Sequence, residues 1–208
     1  MEITAEMVRK LREETGAGMM DCKSALVEAK GETETAREVL RKKGLASAAK
    51  KAGRSANDGM VGTYIHPGAK VGVLVEVNCE TDFVAKTPDF QNLVKDVAMH
   101  IAAASPAAAL FVSKDEVPAD VVLKEKDIYR AQATAQGKPP AVVDKIADGK
   151  VKEYYATFCL LEQPFVKDPK LTVGQLIQEK IALIKENIVV RRFARFRVGE
   201  ETSKTASE

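Results

Sequence analysis

Val71-Gly-Val-Leu-Val-Glu-Val-Asn-Cys-Glu-Thr-Asp-Phe-Val-Ala-Lys-Thr-Pro-Asp-Phe90 contains a strand, a turn and the start of a helix in one continuous stretch. Val71, Val73, Val75 and Val77 share one face of an extended chain, and Gly72, Leu74, Glu76 and Asn78 share the other. Alternation of β-branched residues with period two predicts a half-buried strand. Thr87 then offers an N-cap, and Pro88 takes the first helical position, where its missing N–H is no loss. Thr81-Asp-Phe-Val84 is left as a short connection. The Phe83 ring must either tuck under the following helix as a staple or project outward.

Downstream, Phe90, Leu93, Val94, Val97, Ala98 and Ile101 recur at three- and four-residue steps, predicting a helix with a wide apolar stripe facing the sheet. Upstream, residues 60–66 alternate, and His66-Pro-Gly-Ala-Lys70 makes the turn of a hairpin with the valine strand. Leu110-Phe-Val112 reads as a short extended segment. Pro118 opens a helix to Gly137, and Pro139-Pro140 open another to about Thr157, giving an antiparallel helical hairpin over about 118–158. Leu160 to Val166 reads as an extended return, and Thr172-Val-Gly-Gln175 as a capping box that starts another helix. In the final strand, Ile188, Val190, Ala194, Phe196 and Val198 are placed on one face. Arg192 interrupts that face, and Arg191, Arg195 and Arg197 fall on the other with Val189 and Phe193. Four arginines in one strand suit either phosphate binding or an ion-paired sheet edge, and the edge is the preferred reading. Residues 200–208 are polar and predicted to be disordered.

Residues 1–44 read as three short helices. Thr4 caps the first, Met7, Val8 and Leu11 form its apolar stripe, and Thr15-Gly-Ala-Gly18 ends it. The second carries Met20, Leu26, Val27 and Ala29 and stops at Gly31; the third carries Ala36, Val39 and Leu40, with Gly44 as its C′ residue. Met19 and Met20 point about 100° apart on a helix, so either one is in the core and the other exposed as an adaptable contact, or both fill an irregular small core. The basic run from Arg41 to Arg54 reads as a solvated linker. The expected domains are therefore residues 1–54, three helices plus linker, and residues 55–199, an α+β core with a three-stranded antiparallel sheet, packed helices and the helical hairpin.

At 208 residues the chain can bury a real core, and 45% hydrophobic with 30% charged residues is ordinary for a globular protein. Thirty-two Lys+Arg against 30 Asp+Glu leave a net charge of only +2, too balanced to mark a nucleic-acid binder. No apolar run approaches the ~20 residues of a membrane span, and the N-terminus lacks the order of a signal peptide. Cys22, Cys79 and Cys159 are far apart and odd in number, so neither a disulfide framework nor a zinc spacing is present. These features predict a reduced, cytoplasmic protein without cofactor or metal. There is no phosphate-binding glycine loop, and no nucleophile–base or acid pair stands out among the residues, which include only His66 and His100 as histidines. The expectation is a binding protein and not an enzyme. Cys79 is read as a small buried hydrophobe, and His100 as a packed or capping histidine.

Two strings are specific enough to carry a resemblance: VEVNCETDFVAK at 75–86 and LREETGAGMMDCKSAL at 11–26. Both closely resemble the bacterial elongation factor Ts family, nucleotide-exchange factors for elongation factor Tu, and the resemblance extends to about Gly199. It implies that the N-terminal bundle is a ubiquitin-associated-like domain docking on the partner GTPase through Leu11, Arg12, Thr15, Gly16, Met19 and Met20. It also implies that Thr81, Asp82, Phe83 and Val84 reach into elongation factor Tu, with Phe83 wedging between two helices and disturbing its magnesium site. TYIHPGAKVGVLV at 63–75 resembles the second of two strand modules found in long family members, whereas the Phe83 string resembles the first. The chain is thus similar to a short, single-module form expected to act as a homodimer, with His66 as a possible exchange contact. The alternatives are a helical adaptor indifferent to GDP and an RNA-binding factor using the Arg/Lys runs, whose affinity would fall steeply with salt.

Overall fold

A computed structural model describes residues 3–103 and 106–200. In order, the helices are α1 (Ala5–Thr15), α2 (Met19–Glu28), α3 (Thr33–Lys51), α4 (Asp82–Ala85), α5 (Pro88–Ala103), α6 (Ala119–Ala135), α7 (Pro140–Phe158) and α8 (Val173–Ile184). The strands are β1 (Asp58–Ile65), β2 (Val71–Cys79), β3 (Pro164–Phe165), β4 (Asp168–Thr172) and β5 (Val189–Arg197). The fold is α+β. An antiparallel three-stranded sheet runs β1-β2-β5, and β3 pairs with β4 in a second, two-stranded sheet. Two compact units divide the chain, one comprising Met1–Gly59, Asn78–Leu93 and Leu176–Val189, the other Met60–Val77, Val94–Gln175 and Val190–Glu208. No helix among the described residues is long and apolar enough to cross a membrane.

In the first unit, Thr4 caps α1 by accepting the Met7 N–H at 3.3 Å. The helix stops at Gly16, whose left-handed φ of +67° returns its N–H to the Arg12 carbonyl at 2.7 Å. Val8, Leu11, Cys22, Ala25, Leu26 and Ala36 form a small core, with Met7, Val39 and Leu40 packed around it. Val27, assigned to the apolar stripe from sequence, is exposed instead, because the next residue on a helix turns about 100° from its buried neighbour Leu26. Gly44 does not end α3, which continues to Lys51. The Leu45-Ala-Ser-Ala-Ala49 segment is rich in helix formers, which outweigh the ~1 kcal/mol handicap of one glycine. A Cβ at Gly44 would lie 3.1 Å from the Ala182 Cβ of α8, so this glycine serves close helix packing. Most of the basic run read as a linker is accordingly helical, and Lys51 folds back to donate to Ser47 Oγ at 2.6 Å.

In the second unit, β1 and β2 form the expected hairpin, closed by the His66 N–H to the Val71 carbonyl at 2.9 Å. Val73, Val75 and Val77 point inward and are buried, as is the α5 stripe including Val94, Val97, Ala98 and Ile101. Gly62 lets α5 approach β1, since a Cβ there would meet Val94 Cγ1 at 2.3 Å. His100 on α5 is fully buried and doubly bonded: its Nδ1 accepts the Val166 N–H at 3.1 Å, and its Nε2 lies 2.9 Å from Gln163 Oε1. Gln163 in turn donates to the Thr157 and Ala107 carbonyls. The helical hairpin α6–α7 is present at the expected bounds. Thr172 and Gln175 form the expected reciprocal box at 3.0 and 3.2 Å. The return from α7 differs: a tight 3-10 turn at Leu160–Glu162 precedes the β3–β4 hairpin, which short-range patterning did not reveal.

The last strand corrects a further expectation. Ile188 and Val190 are buried, but Phe196 and Val198 are exposed, while the Arg195 side chain is nearly covered. Phe196 shares the outer face of the sheet with Val61, Ile65 and Leu74, all exposed. That face is tied across strands by Ile65 lying over Gly72 and by Arg192 donating to Glu76 at 2.7 Å. Alternation places a residue on a face, but it does not say which face has a helix against it. Of the tail read as disordered, residues 201–208 lie outside the described residues, and Glu200 ion-pairs with Arg195 at 2.9 Å. Cys22, Cys79 and Cys159 are all buried as free thiols.

Candidate functional site

Phe83 sits on the single turn of α4, directly after β2. Thr81 remains extended, and its hydroxyl accepts the Val84 N–H at 3.4 Å as an N-cap. Asp82 pairs with Lys86 one turn on, at 2.6 Å, and this hydrogen bond holds the Asp82 carboxyl below its ordinary range. Thr87 closes the turn by donating its hydroxyl to the Val84 carbonyl at 2.7 Å, and it caps α5 as expected. The connection is thus bonded at both ends. Phe83 is 81% exposed, so of the two readings the ring projects outward. Val84 is half-buried, and Asp82 and Thr81 flank the ring in solvent.

The loop is held from a distance. Lys185 takes a left-handed φ of +70° after α8 and turns Glu186 and Asn187 back toward it. Glu186 Oε2 accepts the backbone N–H groups of Glu80 and Thr81 at 3.1 and 3.0 Å, and its Oε1 accepts the Thr81 hydroxyl at 2.7 Å. Glu80 replies by accepting the Asn187 N–H at 2.7 Å and lies 3.5 Å from Arg54. The buried Asn187 side chain donates to the Arg54 carbonyl at 2.8 Å, so the end of the α3 segment is tied into the same network. Hydrogen bonds to a charged acceptor are shorter and stronger than neutral ones. Cys79 lies beneath the loop. Burial first, and the Glu186 carboxylate second, push its thiol up to about 11, so it stays a neutral donor to the Thr81 carbonyl and not a nucleophile. Sequence reasoning did not single out Glu80, Glu186 or Asn187. The only local signal is a polar Lys185-Glu-Asn turn between an apolar helix and an apolar strand.

The N-terminal residues fall in the same compact unit as the Phe83 loop. Arg12 and Gly16 are exposed, while Thr15 donates its hydroxyl to the Leu11 carbonyl at 2.6 Å and braces the end of α1. Leu11 is a core residue with no exposed surface. Met19 and Met20 are 52% and 75% exposed, so neither enters the core, against both readings of the pair. Cys22, Ala25, Leu26 and Ala29 occupy the inward side of α2 at helical spacing and leave both methionines in solvent. His66 lies in the second unit, exposed, with its Nδ1 3.4 Å from the Tyr64 hydroxyl. The arrangement around Phe83 offers a ring, a rigid loop and flanking polar groups.

A family model described as Elongation factor TS matches residues 45–200. Curated relatives align over nearly the whole chain. Elongation factor Ts of Solibacter usitatus is 60% identical over 96% of this chain and 92% of its own length. The Geotalea daltonii protein of the same name is 59% identical over 100% and 95%. That of Caldanaerobacter subterraneus subsp. tengcongensis is 57% identical over 97% and 100%.

Proposed function

This chain belongs to the elongation factor Ts family, the family of a translation elongation factor, and from that premise we propose that it is a guanine nucleotide exchange factor for elongation factor Tu. It binds the GDP-bound form and the nucleotide-free form, and it promotes GDP release by disturbing the partner's magnesium site. The observation that carries this reading is the outward Phe83 ring on a loop pinned at both ends. An aromatic ring buries ~150–250 Å², and at ~25 cal/mol per Å² that is roughly 4–6 kcal/mol gross. This is about three to four tenfold steps of affinity, enough to drive a displacement in the partner. Magnesium neutralises phosphate charge, so a shifted metal site weakens the hold on diphosphate. Linkage then requires that GDP weaken the complex by the same factor. The chain performs no bond chemistry of its own.

Residues 1–54 serve as a ubiquitin-associated-like docking domain, with Met19 and Met20 as adaptable contacts, and residues 55–199 as the core. His66 is a further contact for exchange. The chain acts in the cytoplasm, without direct nucleic-acid binding, as a homodimer. The exposed Val61, Ile65, Leu74 and Phe196 on one sheet face support that assembly, because a contiguous apolar face is typical of a protein–protein surface.

The test is release of a fluorescent GDP analogue from magnesium-bound elongation factor Tu, with the parent and with Phe83→Ala. Strong acceleration by the parent and at least tenfold less by the variant is expected. No acceleration by the parent would return the chain to the adaptor class, and equal acceleration would remove Phe83 from the mechanism.

A further inference from the structure

In the second unit a cavity of about 810 Å³ opens between the β1–β2 turn, the end of α5, the loop after β3 and the end of β5. Five of its lining side chains, His66, Lys70, Lys167, Arg195 and Arg197, are basic or imidazole, and among the described residues no carboxylate lines it. Lys167 is engaged by Asp96 at 2.7 Å and Arg195 Nη1 by Glu200 at 2.9 Å. Lys70 and Arg197 have no ion-pair partner among the described residues. The Arg195 side chain is only 8% exposed, and its Nε is buried without a hydrogen-bond partner among the described residues. A buried charged group with an unpaired donor carries its desolvation penalty, so negative charge brought to the cavity wall beside it is favoured. The C-terminal end of α5 contributes about half a negative charge at most, against the two unpaired cations, so the cavity's field remains positive.

We propose that this cavity binds a phosphate group, with Lys70 and Arg197 as the balancing charges and the Arg195 guanidinium as a further positive charge in its wall. Two spare cations match a phosphate, which carries close to two negative charges at neutral pH, better than a single carboxylate. A guanidinium also presents its donors in the planar fork that suits phosphate oxygens. The site does not depend on the exchange reading, because the free chain alone is the reagent that tests it.

The experiment follows the arginine Nε–H region of a ¹⁵N-labelled full-length sample during titration with sodium phosphate, against sodium chloride at matched ionic strength. The Arg195 signal is assigned by its loss in Arg195→Lys. A saturable shift with phosphate, weakened about tenfold in Lys70→Gln and in Arg197→Gln, is expected, since each removes one charge-assisted contact. These two positions lie at the cavity rim, and the dispersion of the same spectra reports that each variant is folded. AMP saturating at tenfold lower concentration would support the site and identify its ligand as a nucleotide phosphate. Equal saturation would support it as a site for free phosphate. The same shift with chloride, a shift produced by adenosine, or full binding by both variants would overturn the proposal.

Discussion

The Glu186 carboxylate receives both the backbone N–H and the hydroxyl of Thr81, 105 residues earlier in the chain, at 3.0 and 2.7 Å. A third bond, from the Glu80 N–H, completes a clamp on the residues that lead into the Phe83 turn. The ring can act as a wedge only if its base resists being pushed back. Glu186 supplies that resistance without presenting itself at the tip. Glu186→Ala is therefore expected to slow GDP release about tenfold or more although Phe83 is untouched. Glu186→Gln, which keeps one acceptor oxygen, should fall between. Stopped-flow release with the two variants checks this; parental rates in Glu186→Ala would show that the clamp is dispensable.

Because Phe83 touches so little of its own chain, Phe83→Ala should leave stability within about 0.5 kcal/mol of the parent, as for exposed substitutions generally. Urea denaturation gives the answer. A large loss of stability would mean that the ring packs in the free protein.

Gly62→Ala should destabilise by about 1–3 kcal/mol, the range for overpacking, since its Cβ would fall 2.3 Å from Val94 Cγ1. The double variant Gly62→Ala/Val94→Ala should recover part of the loss, because the two sites are in contact. Additive losses in thermal or urea unfolding would place the strain elsewhere.

His100 predicts a pH dependence. Its Nδ1 must stay unprotonated to accept the Val166 N–H, and burial lowers its pKa below the ordinary 6.5, partly opposed by the Gln163 hydrogen bond. The unfolded chain therefore takes up a proton first as pH falls. This contribution to stability is complete above about pH 6.5 and declines below it, by at most ~1.4 kcal/mol per pH unit, until the folded state protonates too. Comparing urea midpoints at pH 7.5 and 5.5 should show a drop in the parent that is smaller in His100→Asn. An identical drop in both would assign the acid sensitivity to carboxylates.

Phe196→Glu tests the sheet face. It adds charge to a position 67% exposed in the single chain, so the monomer should fold normally. Sedimentation should show a shift from dimer toward monomer, because an uncompensated charge at the core of an interface is strongly disfavoured. An unchanged mass for the variant would exclude this face as the interface.

How much of this was legible in sequence depended on how local each signal was. The β2 alternation, the α5 stripe and the Thr172–Gln175 box are all set by neighbours within a few residues, and each forms as expected. Gly44 misled because glycine signals two things, a helix end or a close approach, and only the presence of Ala182 distinguishes them. The two methionines were divided between core and solvent on angular grounds, although the rest of α2 already filled the core. Phe83 could be placed in a junction, but its direction depended on the turn bonds made by Thr81 and Thr87. Glu186 and Asn187 had no local spacing to reveal them, because their partners lie more than a hundred residues away.

All three native thiols are enclosed, and burial pushes those of Cys79 and Cys159 up to about 11. Thiolate is the reactive form, so maleimide and iodoacetamide reagents should pass over the folded chain at neutral pH. A single cysteine introduced on the surface would then be the one labelling handle, with no need to replace the native thiols. A fluorophore on such a handle beside the Phe83 turn would allow the encounter with a partner to be followed in real time on an otherwise unaltered protein.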